Sequence, residues 1–267
     1  MLKVIITSVV ANIGYRFDVD GKLYTHINLL SPVTLPTGES ITKLDTSCIK
    51  NANELALGPG DMIECSIDTT GCEIRILSVG SERQQALLPH ICPSCGSRLL
   101  TIDGQNCCIN RSCPAQMTNN ILMFLSCMGM VFDARTGQVL DILLGRGALP
   151  NPASLFSLPL DELMTLPGIT TLEAQLFQRY VHSIRGGRIG MFIFLRSLRI
   201  PTWTDVDHAA VAQIFTARKW DLRHVGNLNI DKVRKLLPKV NWVAWDTFLS
   251  IPANKYLVAE LSEILYN

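Results

Sequence analysis

Cys92-Pro-Ser-Cys95 and, twelve residues later, Cys108-Ile-Asn-Arg-Ser-Cys113 place four cysteines in one short stretch of this 267-residue chain. Each pair can direct two thiolates to one point, and two such pairs complete a tetrahedral zinc site with Zn–S distances of about 2.3 Å. Four protein ligands leave no position for water, so the spacing predicts a structural zinc rather than a catalytic one. Cys107 is an alternative third ligand, and two disulfides of a secreted domain are the alternative chemistry.

The composition predicts a folded protein of a reducing compartment. Hydrophobic residues make up 48% of the chain, which is enough for two or three small cores. Cys48, Cys65, Cys72 and Cys127 are isolated among apolar residues and are expected to be buried free thiols. Met1–Val10 resembles a short signal sequence, but its β-branched residues favour a first strand. Since no stretch offers the about 20 apolar residues of a membrane span, we expect a cytoplasmic protein without a membrane partner.

Residues 1–85 are predicted to form a small five-stranded β-barrel. Asp20-Gly21 and Gly58-Pro-Gly-Asp61 supply turn signals between β-branched segments. An oligonucleotide-binding (OB) fold is the most common barrel of this kind, and an SH3-like barrel fits the same pattern. The predicted strands are Leu2–Val10, Tyr15–Val19, Lys22–Leu29, Met62–Ile67 and Cys72–Val79.

After the zinc module at 86–116, residues 117–267 are predicted to be all helical, which makes the whole chain a multidomain α+β protein. Apolar residues recur at helical spacing from Ile121 to Leu265. The segment from Leu163 to Ala174 has helix-hairpin-helix form, with Pro167-Gly168-Ile169 in the hairpin. A glycine there allows backbone N–H groups and a helix N-terminus to approach a DNA phosphate. A plain helical turn has the same Pro-Gly pair, so both interpretations stay open.

A second copy of this hairpin is predicted at Leu249–Ala259, where Ala253 replaces the glycine and the close approach is lost. A basic run follows the first copy, because no acidic residue lies between Leu176 and Ile200 although the net charge of the chain is only +1. Such a run is usually a solvated surface, and phosphate contacts are its functional interpretation. The run contains Arg179, Arg185, Arg188, Arg196 and Arg199.

The order of barrel, four-cysteine module and helix-hairpin-helix domain resembles the C-terminal half of bacterial NAD-dependent DNA ligases. Cys92-Pro-Ser-Cys-Gly96 and Cys113-Pro-Ala-Gln116 are similar to the CPxCG and CPAQ pieces of that family's zinc segment. Asn151-Pro-Ala-Ser-Leu-Phe156 is similar to its PADLY segment, while Gly21–Val33 and Leu57–Asp61 resemble its barrel motifs GxLTPVAxLxPV and IxxGD. The resemblance covers nearly the whole chain and implies structural zinc and sequence-independent DNA binding.

The departures from the family imply a division of labour. The nucleotidyl-transfer lysine of the family lies in a KxDG motif, in an adenylation domain before the barrel, and here only Lys43-Leu-Asp-Thr46 comes near it. The family's Arg-Ala-Gly-Asp barrel strand corresponds to Cys65–Ile76, which lacks that core. The first and third family hairpins correspond roughly to Phe132–Gly137 and Leu198–Trp203, and both depart from the consensus.

The resemblance therefore implies the second, non-catalytic DNA-binding subunit of a split, phage-type ligase acting in replication and repair. NAD, Mg²⁺ and the lysine are expected on a separate adenylation subunit, and nicked duplex DNA is the expected shared ligand, in the cytoplasm of a bacterium or phage-infected cell. A stand-alone ligase-derived DNA-binding or regulatory protein, and a degenerate structural subunit that binds protein, are the alternatives. Besides the five arginines, the residues expected at DNA are Lys50, Asn51, Pro167, Gly168, Ile169 and Thr170.

Overall fold

The computed structural model describes residues 4–34, 38–68, 71–80, 82, 84–225 and 230–267. Leu2 and Lys3 of the predicted first strand lie outside the described residues. The chain divides into two compact units, Met1–Cys108 and Ile109–Asn267, which are described one at a time. Strands dominate the first and helices the second, so the predicted mixed α+β class is confirmed. Among the described helices, none combines the length and apolar character of a bilayer crossing.

An antiparallel sheet of five strands forms the body of the first unit. Its strands are β1 (Val4–Phe17), β2 (Leu23–Thr34), β3 (Ser40–Asp45), β5 (Met62–Asp68) and β6 (Gly71–Ser78). They are hydrogen-bonded in the order β3-β2-β1-β5-β6. The shorter strands are β4 (Ala56–Leu57), which pairs with β7 (Gln85–Ala86), and β8 (Leu100–Ile102), which pairs with β9 (Gln105–Cys107).

The main sheet has five strands, the number predicted for the barrel, but two strand assignments were wrong. Tyr15–Val19 was expected as a separate strand, whereas Tyr15–Phe17 is the end of β1, which continues through a register shift between Val10 and Asn12. Such a bulge bends a strand without ending it. The sequence prediction also missed β3, because four of the six residues of Ser40–Asp45 are polar and only one is buried, so its apolar alternation is weak.

One face of the sheet supplies the core of the first unit. Alternate residues of the strands are buried there, as expected for a sheet with one solvated face. Cys65 and Cys72 lie in this core on neighbouring strands and are joined as a disulfide with a Cα–Cα distance of 6.3 Å. The expectation of two free thiols was wrong for this pair, because the antiparallel register brings both side chains to the same face. Cys48 is free but exposed rather than buried.

The predicted turn Gly58–Asp61 is held by the buried carboxylate of Asp61. Its oxygens accept hydrogen bonds from the backbone N–H groups of Gly58 at 2.8 Å and Gly80 at 2.6 Å. Gly60 has φ +85°, a conformation that disfavours any side chain. The glycines and the aspartate of this motif therefore have a structural explanation within the turn.

Ten α-helices are described in the second unit, and their apolar faces form one core around Phe124, Phe177 and Phe215. Four pairs of consecutive helices contain the segments predicted as hairpins. The helices are α1 (Met117–Cys127), α2 (Ala134–Gly145), α3 (Ser154–Ser157), α4 (Leu160–Met164), α5 (Thr171–His182), α6 (Met191–Leu198), α7 (Asp205–Arg218), α8 (Ile230–Leu236), α9 (Trp242–Leu249) and α10 (Pro252–Tyr266). The pairs are α1 and α2, α4 and α5, α6 and α7, and α9 and α10.

Candidate metal centre and nucleic-acid interface

The sulfur atoms of Cys92, Cys95, Cys108 and Cys113 all lie within 4.8 Å of one another. The Sγ atoms of Cys95 and Cys108 are 3.7 Å apart, which agrees with the edge of about 3.8 Å of a tetrahedron with Zn–S bonds of about 2.3 Å. Three of the cysteines are buried and Cys95 is half-buried. Four thiolates suit a soft metal ion such as Zn²⁺ and leave no coordination position for water.

The Cys92–Cys95 pair is presented by a tight turn that Gly96 closes. The Gly96 N–H donates to the carbonyl oxygen of Cys92 at 3.0 Å, and the Cys92 N–H donates to that of Ser97 at 2.8 Å. Gly96 has φ +71°, which explains the glycine after the second cysteine. The β8–β9 hairpin, with its turn at Asp103-Gly104, then leads the chain to Cys108.

Cys107 and Cys108 are neighbours in the sequence, but their side chains have different surroundings. Cys108 belongs to the four-cysteine cluster, whereas the Cys107 thiol donates to the carbonyl oxygen of Gln105 at 3.5 Å. Burial raises the pKa of the Cys107 thiol, which disfavours the thiolate that a metal needs. The geometry therefore favours Cys108 of the two candidates that the sequence left open.

Between the last two cysteines, Arg111 fixes the ligand loop in a buried hydrogen-bond network. Its Nε donates to the carbonyl oxygen of Leu198 at 3.2 Å, its Nη2 donates to that of Arg199, and its guanidinium lies 6.0 Å from the Phe248 ring centre. The Asn120 amide donates to the carbonyl oxygen of Arg111 at 3.1 Å. The loop conformation thus depends on contacts with the helices.

Asn254 of α10 completes this network and is fully buried. Its Oδ1 accepts from the Arg111 N–H at 2.8 Å, and its Nδ2 donates to the carbonyl oxygens of Ile109 at 2.9 Å and Phe248 at 3.0 Å. Sequence reasoning missed both Arg111 and Asn254. The available signal for Arg111 was its position between two ligand cysteines, whereas nothing local identifies Asn254.

The predicted hairpin lies between α4 and α5, with Pro167, Gly168 and Thr170 exposed and Ile169 half-buried. Gly168 has φ +73°. Thr170 caps α5 through a reciprocal capping box with Glu173. The following residues begin α5, where the first turn of a helix has no acceptor of its own for backbone N–H groups. This hairpin therefore has an exposed glycine beside a helix N-terminus, and the Glu173 carboxylate already accepts from the Thr170 N–H there at 2.8 Å.

Two other helix pairs carry acidic groups where a phosphate would bind. The Asp133 carboxylate accepts from the N–H groups of Arg135 and Thr136 at the start of α2. Asp205 and Asp207 lie in the first turn of α7, where Asp207 forms a capping box with Thr204. A carboxylate already satisfies these amides and repels a second anion. In the fourth pair, the second helix, α10, begins with Pro252 and has no side-chain cap.

The five predicted arginines have different surroundings. Arg185 donates to the carbonyl oxygen of Phe156 at 2.7 Å, and Arg188 donates to that of Ser183 at 3.1 Å. Arg196 is paired with Asp205 at 3.3 Å, and the carbonyl of Arg199 accepts from Arg111. Arg179 and Arg188 are exposed. Asp205, which lies outside the run, thus compensates part of its positive charge. The sequence prediction considered only acids within the run and missed this pair.

In the first unit, Lys50 is exposed and Asn51 is tied to the sheet. The Asn51 Nδ2 donates to the carbonyl oxygen of Ile74 at 2.7 Å, and the Ile74 N–H donates to Asn51 Oδ1 at 3.1 Å. This reciprocal pair continues the hydrogen bonding of β6 and uses both polar atoms of the amide. Lys43, in the near-match to the nucleotidyl-transfer motif, is exposed on β3 opposite Asn28.

Comparison with known proteins finds similarity to DNA ligases. No protein-family model matches the chain. A protein named DNA ligase from Solibacter usitatus is 29% identical over 262 residues, which cover 96% of this chain and 38% of that relative. DNA ligases from Halalkalibacterium halodurans and Campylobacter hominis are 30% and 27% identical over 51% and 72% of the chain, and these matches cover 21% and 30% of those proteins. The chain thus spans well under half the length of these relatives, and the similarities support a ligase-like family.

Proposed function

We propose that this chain is the non-catalytic DNA-binding subunit of a split NAD-dependent DNA ligase. The observation that carries the proposal is the four-cysteine cluster, in a chain that is similar to a DNA ligase over 96% of its residues. A separate adenylation subunit would hold the nucleophilic lysine, NAD and Mg²⁺, and would supply AMP to the 5′-phosphate of the nick. This chain would hold the nicked duplex in the cytoplasm during replication or repair.

In this proposal the chain has three parts, an OB barrel at 1–85, a zinc module at 86–116 and a helix-hairpin-helix domain at 117–267. Cys92, Cys95, Cys108 and Cys113 would hold a structural zinc ion. The sulfur separations of the cluster are compatible with that ion. The metal would stabilise the fold because the unfolded chain has no preformed site.

DNA binding would rely on contacts that do not read sequence. The hairpin Pro167–Thr170 would contact a phosphate through backbone N–H groups, and Arg179 and Arg188 are exposed for phosphate contact. Lys50 would contact DNA from the first unit. Asn51 would act indirectly, by holding the Lys50 segment against β6. Such contacts suit a ligase, because a nick can occur in any sequence.

A stand-alone DNA-binding or regulatory protein derived from a ligase is the second candidate. The observation in its favour is the acidic group at the N-terminus of α2, α5 and α7, which leaves fewer backbone N–H groups available to phosphate. A protein under weaker demand for DNA affinity could tolerate this loss. The third candidate is a structural subunit that binds protein, in which none of the hairpins would contact phosphate.

The decisive experiment is nick sealing on a singly nicked duplex with NAD and Mg²⁺. It compares this chain alone, an adenylation domain encoded in the same genome alone, and their mixture. Sealing only in the mixture is the expected result. Sealing by this chain alone would refute the non-catalytic assignment. Nick binding without sealing in the mixture would favour the stand-alone protein, and no DNA binding at all would favour the protein-binding subunit.

A further inference from the structure

We propose that a cavity in the second unit binds one unpaired nucleotide of a nucleic-acid strand. The cavity lies among residues 187–191, residues 215–222 and Tyr266, and is about 240 Å³ in volume. It is distinct from the hairpin at Pro167–Thr170 and from the loops of the other helix pairs. The inference rests on the proposed function in one respect, since DNA is the expected source of the strand.

Aromatic and aliphatic side chains line the cavity. Phe215, Trp220, Tyr266, Ile189 and Met191 are among them. The Trp220 ring meets Phe215 edge to face at a centroid distance of 5.4 Å and stacks on His224 at 5.9 Å with an interplanar angle of 8°.

Trp220 also differs from the other tryptophans of the chain in its exposure. The other three, Trp203, Trp242 and Trp245, are buried in the core, whereas Trp220 is half-buried at the cavity. A tryptophan held in place by its neighbours but open on one side is suited to stacking with a base.

Positive side chains follow the same segment. Arg218 and Lys219 are exposed directly before Trp220. The Arg223 guanidinium lies 3.6 Å from the ring centre of Tyr266, one of the lining residues. Exposed Arg188 lies between Gly187 and Ile189, which both line the cavity. These cations are therefore close in sequence to the lining residues and can hold the phosphates on either side of a bound base.

The segment around the cavity is strongly basic. The segment from Arg218 to Lys239 contains seven lysines and arginines and two acids, whereas the whole chain has 24 and 23. This segment connects the third and fourth helix pairs and belongs to neither hairpin. Its net charge of +5 equals that of the predicted arginine run, and no ion pair with an acid involves Arg218 or Lys219 among the described residues.

Asp221 is the acidic group that lines the cavity, and its charge is compensated. Its carboxylate accepts from Arg223 Nη2 at 2.8 Å and lies 3.0 Å from His224 Nδ1. The Arg223 hydrogen bond is the main reason why the pKa of Asp221 is lowered to about 2. Asp221 therefore remains an acceptor that orients Arg223, and it can also accept from an N–H group of a base, such as the imide N–H of thymine.

The combination of a stacking surface and flanking cations fits a single strand better than a duplex. In a duplex the bases are stacked inside, so cations alone would suffice and an aromatic cavity would have no ligand. In single-strand binding, successive phosphates follow a basic surface while bases stack on aromatic side chains. The volume of the cavity limits the bound unit to about one nucleotide.

The test uses the full chain and fluorescence anisotropy with a labelled twelve-residue oligothymidylate, compared with a blunt duplex of equal length. Trp220→Ala is expected to weaken single-strand binding by about 5- to 150-fold, the range for loss of one stacked base. Its duplex affinity should stay within about twofold. Trp220→Phe keeps an aromatic ring and should retain most of the single-strand affinity.

A second variant avoids the partly buried tryptophan. Replacing Arg218 and Lys219 together by glutamine should reduce the slope of log K against log salt by about 1.4 for the single strand, at about 0.7 per phosphate contact. Arg146→Gln is the matched control, because Arg146 is also an exposed arginine at the C-terminal end of a helix. It should leave the slope unchanged.

The outcomes separate this inference from the proposed function. Wild-type protein that binds duplex but not the single strand would overturn the nucleotide site and leave the proposed DNA-binding subunit intact. The same conclusion would follow if Trp220→Ala kept its single-strand affinity and the double variant kept its salt slope. Wild-type protein that binds neither DNA would overturn both. If free AMP competes as strongly as the oligonucleotide, the ligand is a free nucleotide and the strand assignment is wrong.

Discussion

Replacing Cys108 and Cys107 separately by serine tests the four-cysteine site with two adjacent residues. Both side chains are buried, at 0% and 2% exposure, but only Cys108 has its sulfur in the cluster. Cys108→Ser removes one of four thiolates, so the folding free energy supplied by the metal, about 10–16 kcal/mol in zinc-finger peptides, is largely lost. Cys107→Ser replaces a weak thiol donor to Gln105 by a hydroxyl donor, and we expect it to cost only about 1–2 kcal/mol.

The assay is metal content by mass spectrometry after dialysis against a chelator, followed by thermal unfolding. Wild type and Cys107→Ser should retain close to one zinc ion per chain, and Cys108→Ser should retain almost none. Unfolding of the zinc-loaded wild type should occur at a higher temperature than that of the chelated protein. If Cys107→Ser loses the metal and Cys108→Ser keeps it, the ligand assignment is reversed. If both variants keep it, the four-thiolate site itself is wrong.

Three further perturbations test the helical unit. Asn254→Ala removes three buried hydrogen bonds and should lower the free energy of unfolding by about 3 kcal/mol, as measured by urea denaturation. Glu260→Ala, at an exposed position of the same helix, is the control and should not lower it. Gly168→Ala places a side chain at φ +73°, which should cost about 1–2 kcal/mol of stability. It should also weaken binding to nicked duplex in anisotropy assays. Gly145→Ala is the control, because Gly145 has open space around it and an ordinary φ, and this variant should keep the wild-type affinity. Burial lowers the pKa of His208 below 6.5, so the unfolded chain takes up a proton that the folded chain refuses, and stability should fall below pH 6.5 by at most about 1.4 kcal/mol per pH unit. His208→Gln should reduce this slope, and an unchanged slope would contradict the assignment.

The local parts of the candidate site could be predicted from the sequence because their signals are local. The spacing of the four cysteines predicts their convergence, and Gly96 and Gly168 occupy turn positions with positive φ. The choice between Cys107 and Cys108 could not be predicted, since either residue satisfies the spacing. That choice depends on the β8–β9 hairpin, whose register brings Cys107 opposite Leu100.

Long-range contacts escaped prediction for a different physical reason. Asn254 contacts a loop about 140 residues away in the sequence, and no local pattern reports such a contact. Asn51 shows the converse, because an exposed-looking asparagine after a lysine suits a DNA contact, while its amide in fact completes the hydrogen bonding of β6. An asparagine amide can contact DNA or complete the hydrogen bonding of a strand. Only the tertiary structure, which places Ile74 beside Asn51, shows which of the two occurs.

The capping of the helices changes where DNA affinity must come from. Asp133 caps α2, and Glu173 and Asp207 lie in the first turns of α5 and α7, so a carboxylate already accepts from backbone N–H groups at the second helix of three of the four pairs. Arg196 of the predicted basic run is paired with Asp205. If this chain binds DNA as proposed, it needs cations outside the hairpins, and exposed Arg218 and Lys219 are candidates. If charge removal at Arg218 and Lys219 weakens nicked-duplex binding as much as the single strand, these residues have replaced the lost hairpin contacts in general. If only the single strand is affected, the remaining hairpin and the first unit carry the duplex, and the cavity at Trp220 serves the strand that a duplex cannot present.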